Sequence, residues 1–182
     1  VISAEFHEKG ALAITLLPTI FSQVFSTMKL PIAMVWGNNT GPFIRPVKWI
    51  CAMLNDQIIQ WELFGIPASN ITHGHRFLSK SDDSSSGATT QIAESNEYIK
   101  KCMAVNVMVD ISARKAAIKD QLLINGADID DALLNEVTHL VEWPEVLKIT
   151  FPDQFLVLPK EVLTECLKKH QKAFRFLIYH QE

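Results

Sequence analysis

Apolar side chains along the chain first follow a helical period. Leu12, Leu16, Ile20, Val24 and Met28 recur four apart and predict one helix over Ala11 to Met28 with that stripe toward a core. Pro18 falls inside it and predicts a kink or a fresh start. Lys29-Leu30-Pro31 ends the helix, and residues 36–42 (WGNNTGP) are dense enough in turn formers to require a loop. The pattern then shortens. Phe43 to Leu54 and Gln57 to Phe64 read as two strands of a hairpin, with Asn55-Asp56 as a two-residue turn.

The second half returns to helices. Ser95 can cap a helix from Asn96 to about Ala104, and Asn106 to Asp110 reads as a short strand. Ser112 caps a helix from Ala113 to Ile124 that ends at Asn125-Gly126. Asp128 or Asp130 caps a third, running to about Glu142 and stopped by Pro144. Short strands follow at Ile149 to Phe151 and Phe155 to Val157. Pro159 opens a last helix to about Lys169, and Phe174 to Tyr179 reads as a final strand. Helices and strands mix without βαβ alternation, which predicts an α+β fold with a mainly antiparallel sheet flanked by helices. Residues 79–87 (SKSDDSSSG) predict a flexible Ser/Asp-rich excursion within a single domain over 1–182.

Composition narrows the class. At 182 residues the chain can bury about 70% of the surface its unfolded form exposes. Ala11 to Phe25 is the most membrane-like run, but Pro18, Ser22 and Gln23 interrupt it and an amphipathic core helix accounts for it. Cys51, Cys102 and Cys166 lie far apart within hydrophobic patterns and read as buried thiols of a reducing compartment. That makes the sequon Asn70-Ile71-Thr72 incidental. A Val-Ile-Ser start without Met or signal peptide, and an apolar run near the other end, suggest a piece of something longer.

The formal net charge of −3 disfavours a uniformly basic nucleic-acid binder. The distribution is uneven: residues 1–80 carry 6 cations and 4 anions, residues 81–150 carry 6 and 12, and residues 151–182 carry 5 and 4. Contacts with a polyanion should therefore come from the two ends of the chain.

Chemistry concentrates in Thr72-His73-Gly74-His75-Arg76-Phe77. His73 and His75 could ligate a metal, Arg76 could hold a phosphate or carboxylate, and Phe77 could anchor the loop in the core. The plainer reading is a turn whose Arg caps neighbouring backbone. No Cys or Asp stands at a spacing that would complete a zinc site with the two imidazoles. Asp128, Asp130 and Asp131 resemble the start of a calcium loop but lack its central Gly and closing Glu, so helix capping explains them. Arg45-Pro46-Val47-Lys48-Trp49 alternates charge with ring, which suits phosphate and base; equally, it is a strand with basic outward residues. His170-Gln171-Lys172 forms a polar knot after the last helix. The sequence contains no Gly-rich phosphate loop, nucleophile elbow or HExxH.

Several stretches in the same order resemble the beta subunit of bacterial glycyl-tRNA synthetase. They are Phe43-x-Arg45-Pro46-Val47-x-Trp49, Phe64-Gly65-Ile66-x-Ala68 with Thr72-x-Gly74-His75-Arg76-Phe77, residues 135–144 (NEVTHLVEWP), Leu158-Pro159-x-Glu161-Val162-Leu163, and His170-Gln171-Lys172-x-Phe174. The resemblance runs from about Leu17 to the end. The chain departs from the family pattern at Asn135, at residues 164–167, at Ala173 and over Ile32 to Val35.

The resemblance implies a cytoplasmic enzyme, glycine–tRNA ligase, that joins glycine to its tRNA at the cost of ATP. ATP and magnesium would sit in the alpha subunit, with no cofactor or metal in this chain. It places the chain in the N-terminal half of the beta subunit, in a region similar to the editing-type domain of the phenylalanyl-tRNA synthetase beta subunit. The implied partners are the alpha subunit, the remaining beta-subunit domains and tRNA-Gly, without a membrane. The expected role is non-catalytic positioning of tRNA, with Arg45, Lys48, His75, Arg76, His170 and Lys172 as contacts. For Arg76 a buried pair with Glu136 or Glu142 is the competing expectation. The alternatives are a proofreading hydrolase, with water held by His75 or His170, and a scaffold that joins subunits.

Overall fold

The computed structural model describes residues 3–4, 9–38, 40–80 and 87–176. They divide into two compact units, one of the described residues within 1–73 and 89–98, the other of those within 74–88 and 99–176. Among the described residues the fold is α+β, with five α-helices and several small, mostly antiparallel sheets.

In the first unit, α1 spans Ala13–Thr27 with Pro18 inside it. Its predicted core stripe faces outward: Leu12, Leu16, Ile20, Val24 and Met28 are 42–73% exposed. The helix packs instead through Ile14, Leu17, Pro18, Phe21 and Phe25, none of them fully buried. Phe21 and Phe25 set their rings 5.2 and 5.3 Å from Trp61, whose Nε1–H donates to Ser22 Oγ at 3.0 Å. Phe25, Phe43, Phe64 and Trp36 continue this aromatic chain at 5.4–6.0 Å. Aromatic rings bury more area than aliphatic side chains and favour such edge contacts, so they selected the packing face over the aliphatic stripe.

The strands are short. β1 (Met34–Trp36) pairs with β2 (Thr40–Phe43), antiparallel. β3 (Ile50–Cys51) runs parallel to β7 (Ile66–Ser69), which also pairs antiparallel with β6 (Glu62–Leu63). β4 (Met53–Leu54) and β5 (Gln57–Ile58) form the expected hairpin around Asn55-Asp56, with Asn55 at φ 55°. It is only two residue pairs long, because Phe43 belongs to β2 and residues 44–49 are irregular. β8 (Ile71–His73) pairs antiparallel with β9 (Thr89–Gln91). Ile59 and Ile92 are the fully buried aliphatics of this unit.

A 3-10 turn at Ser95–Glu97 leads into α2 (Tyr98–Ala104), with no side-chain cap from the residue before it. In the second unit, α3 (Ile111–Ile124) is capped by Asp110, whose carboxylate accepts from Ala113 N at 2.6 Å. Asp110 thus takes the role expected of Ser112, and the segment expected as a strand at 106–110 has no strand partner. α3 ends at Asn125 and a left-handed Gly126, as expected. Asp130 caps α4 (Asp131–Leu140), accepting from Leu133 N at 3.0 Å.

α3 and α4 share a core of Ile118, Leu122, Ala127 and Leu134, packed against Ile129, Val137, Val146, Phe174 and Phe176. Two polar side chains of α3 hold the irregular backbone around it. Gln121 donates to Pro144 O and accepts from Val146 N. Arg114 donates to the carbonyls of Thr138, Met108 and Val109. A guanidinium supplies five donors in a fixed fork, which suits satisfying several loop carbonyls at once.

Beyond α4 the strands expected at 149–151 and 155–157 do not form. Residues 149–152 are irregular and Asp153–Val157 is a 3-10 helix. A short apolar run does not by itself distinguish strand from helix, and without a paired edge the local turn wins. α5 (Lys160–Glu165) continues into a π-helical turn, Cys166–His170. Of the strand expected from Phe174 to Tyr179, Phe174 and Arg175 are irregular, Phe176 makes an isolated bridge to Ala127, and residues 177–179 lie outside the described residues. So does most of the Ser/Asp-rich excursion, residues 81–86. Cys102 is buried as expected, Cys51 half-buried and Cys166 exposed. No helix among the described residues is long and apolar enough to cross a membrane.

Candidate nucleic-acid interface

Gly74 to Ser79 forms a tight turn held in place by its backbone. Gly74 N donates to Ala88 O at 2.9 Å, His75 N to Val105 O at 2.9 Å and Ser79 N to His75 O at 3.1 Å. Ser79 Oγ donates to His75 O at 2.7 Å and accepts from Ala88 N at 2.9 Å. Only glycine fits at position 74, since a Cβ there would lie 2.6 Å from Val105 Cβ and 2.7 Å from its carbonyl oxygen.

The His75 ring serves the turn. Its Nδ1 accepts from the amides of Phe77 and Leu78, both at 3.2 Å. That use requires a neutral ring with its proton on Nε2, so the one polar atom left to other partners is a donor. The tip of the turn points into solvent. Arg76 is exposed and makes no ion pair among the described residues, and Glu136, one of its expected partners, is held by Lys172. Phe77 does not anchor the loop: its side chain is 84% exposed, and Leu78 beside it is also exposed.

The other candidates stand elsewhere. His73 lies on β8 with its ring 4.5 Å from that of Trp49, and its buried Nδ1 has no partner among the described residues. Arg45 and Lys48 are exposed on the irregular segment 44–49, which is neither strand nor turn of a hairpin. Lys172 pairs with Glu136 at 2.6 Å and adopts φ 54°, and His170 is exposed at the end of the π-helical turn. Among the described residues no group of three His, Cys, Asp or Glu side chains could hold a metal ion.

The cations near the chain's end are laced with carboxylates, two of them distant in sequence (Asp130 and Asp128) and one a helical turn away (Glu165). Lys168 pairs with Asp130, Lys169 with Glu165 and Arg175 with Asp128. The hydrogen bond from Lys168, then that from Leu133 N, holds the Asp130 carboxyl below the usual range. Asp130 in turn raises Lys168 above the ordinary lysine value. The Lys169 hydrogen bond likewise lowers Glu165. Neutralised in this way, these cations are poorer phosphate contacts than Arg76, Arg45 and Lys48.

A family model described as glycyl-tRNA synthetase beta subunit matches residues 1–182. This chain belongs to that family. The glycine–tRNA ligase beta subunit of Listeria monocytogenes serotype 4b (strain CLIP80459) is 39% identical over 171 residues, covering 91% of this chain and 24% of the relative. That of Clostridioides difficile (strain 630) is 34% identical over 182 residues, covering 97% and 25%. That of Leuconostoc mesenteroides is 31% identical over 178 residues, covering 92% and 25%. The chain thus spans about a quarter of the length of the curated relatives it matches.

Within this member of the family, the resembling motifs fall on structural joints. The Gly74–Phe77 stretch makes the pinned turn. Residues 135–144 carry the end of α4, including Thr138, whose carbonyl Arg114 holds. Arg114 carried no sequence signal, because its partners are backbone carbonyls that composition and spacing do not reveal.

Proposed function

We propose that this chain is a non-catalytic part of a glycine–tRNA ligase beta subunit, positioning tRNA-Gly and packing against the rest of the synthetase. The observation that carries the reading is the turn at Gly74–Ser79, which presents an exposed Arg76, without an ion pair among the described residues, on a backbone fixed by hydrogen bonds. A guanidinium fork matches phosphate oxygens, and a donor already held in place loses little conformational freedom on contact. Arg45 and Lys48, exposed on their own segment, supply further phosphate contacts, with His75 Nε2–H, His170 and Lys172 as lesser ones.

Packing against further polypeptide is supported by apolar surface within each unit. The outward stripe of α1 is one case. Another is an open groove of about 1160 Å³ in the second unit, lined by residues such as Leu147, Ile149, Phe151, Leu156, Leu158 and Leu163. Contiguous exposed apolar area of this kind marks interaction surface, and relatives carry about three-quarters of their length outside the match. Activation of glycine with ATP and magnesium belongs, in this reading, to the alpha subunit.

Proofreading hydrolysis is the weaker reading. A general base needs a free lone pair toward water, and the His75 Nδ1 lone pair is already taken by two amides, which leaves His170 alone of the two expected bases. The deciding experiment measures tRNA-Gly binding to the assembled synthetase across a salt series. Replacing Arg45, Lys48 and Arg76 with alanine should weaken binding and flatten the log–log salt slope by about 0.7–0.9 per lost contact. Unchanged affinity and slope would overturn the RNA-positioning role and leave a scaffold.

A further inference from the structure

Resting on the reading above, we propose that Phe77 is a stacking platform for an unpaired nucleotide of the bound tRNA, with Arg76 beside it on the neighbouring phosphate. A lone exposed phenylalanine is ordinary on protein surfaces. This one differs in its support. Its amide and that of Leu78 both donate to His75 Nδ1, and the turn that carries it is tied to Ala88 and Val105. The residue stands 84% exposed, and its ring lies tilted 58° to that of His75 at 6.1 Å between centroids. An apolar ring held out in water on a fixed turn has little left to lose on binding a flat partner.

The neighbouring chemistry selects the partner. From Gly74 to Lys80 every charged residue is a cation, Arg76 and Lys80, with Asp82 and Asp83 following outside the described residues. His75 adds an Nε2–H donor. Cation, donor and exposed ring within three consecutive residues suit a nucleotide, which offers a phosphate and a π-face together. The base must be unpaired, because a base inside a duplex keeps both faces stacked and closed to a side chain. A protein partner would use Phe77 with Leu78 and pair Arg76 with a carboxylate, an outcome that the subunit-dissociation arm of the test below separates from stacking.

The test uses the assembled synthetase and tRNA-Gly with 2-aminopurine placed in turn at each unpaired position. Unmodified protein and Phe77→Trp should quench fluorescence at one position. Phe77→Ala should lose that quenching and weaken binding about 5- to 100-fold with the salt slope unchanged. Arg76→Ala should instead lower the slope by about one contact. If Arg76→Ala weakens binding and Phe77→Ala does not, stacking is overturned while the positioning role stands. If neither changes binding, and Arg45 and Lys48 replacements do nothing either, both fail. If Phe77→Ala dissociates subunits in sedimentation and leaves the RNA affinity of intact assemblies unchanged, Phe77 is a protein contact and the proposal is wrong. The thermal melt of Phe77→Ala should match the unmodified protein, which separates loss of stacking from loss of fold.

Discussion

Two helices of this chain, α1 and α4, show how little apolar content says about burial. α1 is the more apolar, yet it buries no residue, has no side-chain cap and carries neither an acidic first turn nor a basic last turn. α4 is half polar, yet it buries Leu133, Leu134 and Thr138 and starts at a capped Asp130. The difference lies in what each meets. α4 lies against α3, and the two share a common core. α1 touches its surroundings through aromatic rings on one side and leaves a second apolar stripe uncovered. A helix with two apolar faces is a helix that expects two partners.

The largest test of this contrast is cavity formation. Leu134→Ala removes a side chain that is 0% exposed and should cost about 2–5 kcal/mol in urea unfolding. Val24→Ala on the open stripe of α1 should move stability by less than about 0.5 kcal/mol. A large loss at Val24 would mean that the stripe is covered within the chain itself. The next effect concerns capping. Leu12 sits at the N-cap of α1 without a side-chain bond, so Leu12→Asp should gain about 0.5 kcal/mol by satisfying a first-turn amide. No gain would mean that the start of α1 is already held by packing.

The smallest effect is electrostatic. The folded-state pKa of Asp130 is depressed, so its contribution is present above the ordinary aspartate range and is lost as pH falls through the depressed value. Lys168 is raised, so its contribution is present below the ordinary lysine range and is lost as pH rises through the raised value. The stability difference between the unmodified protein and Lys168→Met should therefore be flat between those ranges and shrink at both ends. It should stay small throughout, since both side chains are more than a third open to solvent, 44% for Lys168 and 36% for Asp130. A difference that grows toward acid pH would rule out this pair as the cause.

Sequence alone determined the family, through motifs that keep their order, and most helix boundaries. Gly126 and Asp130 stop or start backbone hydrogen bonding locally, whatever surrounds them, whereas α4 ends at Leu140, ahead of the stop expected from Pro144. It determined the Asn55-Asp56 turn for the same reason. Tertiary structure decided which face of α1 packs, because aromatic contact with Trp61 and Phe43 depends on residues tens of positions away. It decided that residues 153–157 coil as a 3-10 helix, since a strand exists only where an edge is free to pair. It decided the site as well. Arg76 and Phe77 read equally well as buried or exposed in one dimension, and it is the clamp of Gly74, His75 and Ser79 onto Val105 and Ala88 that turns both outward.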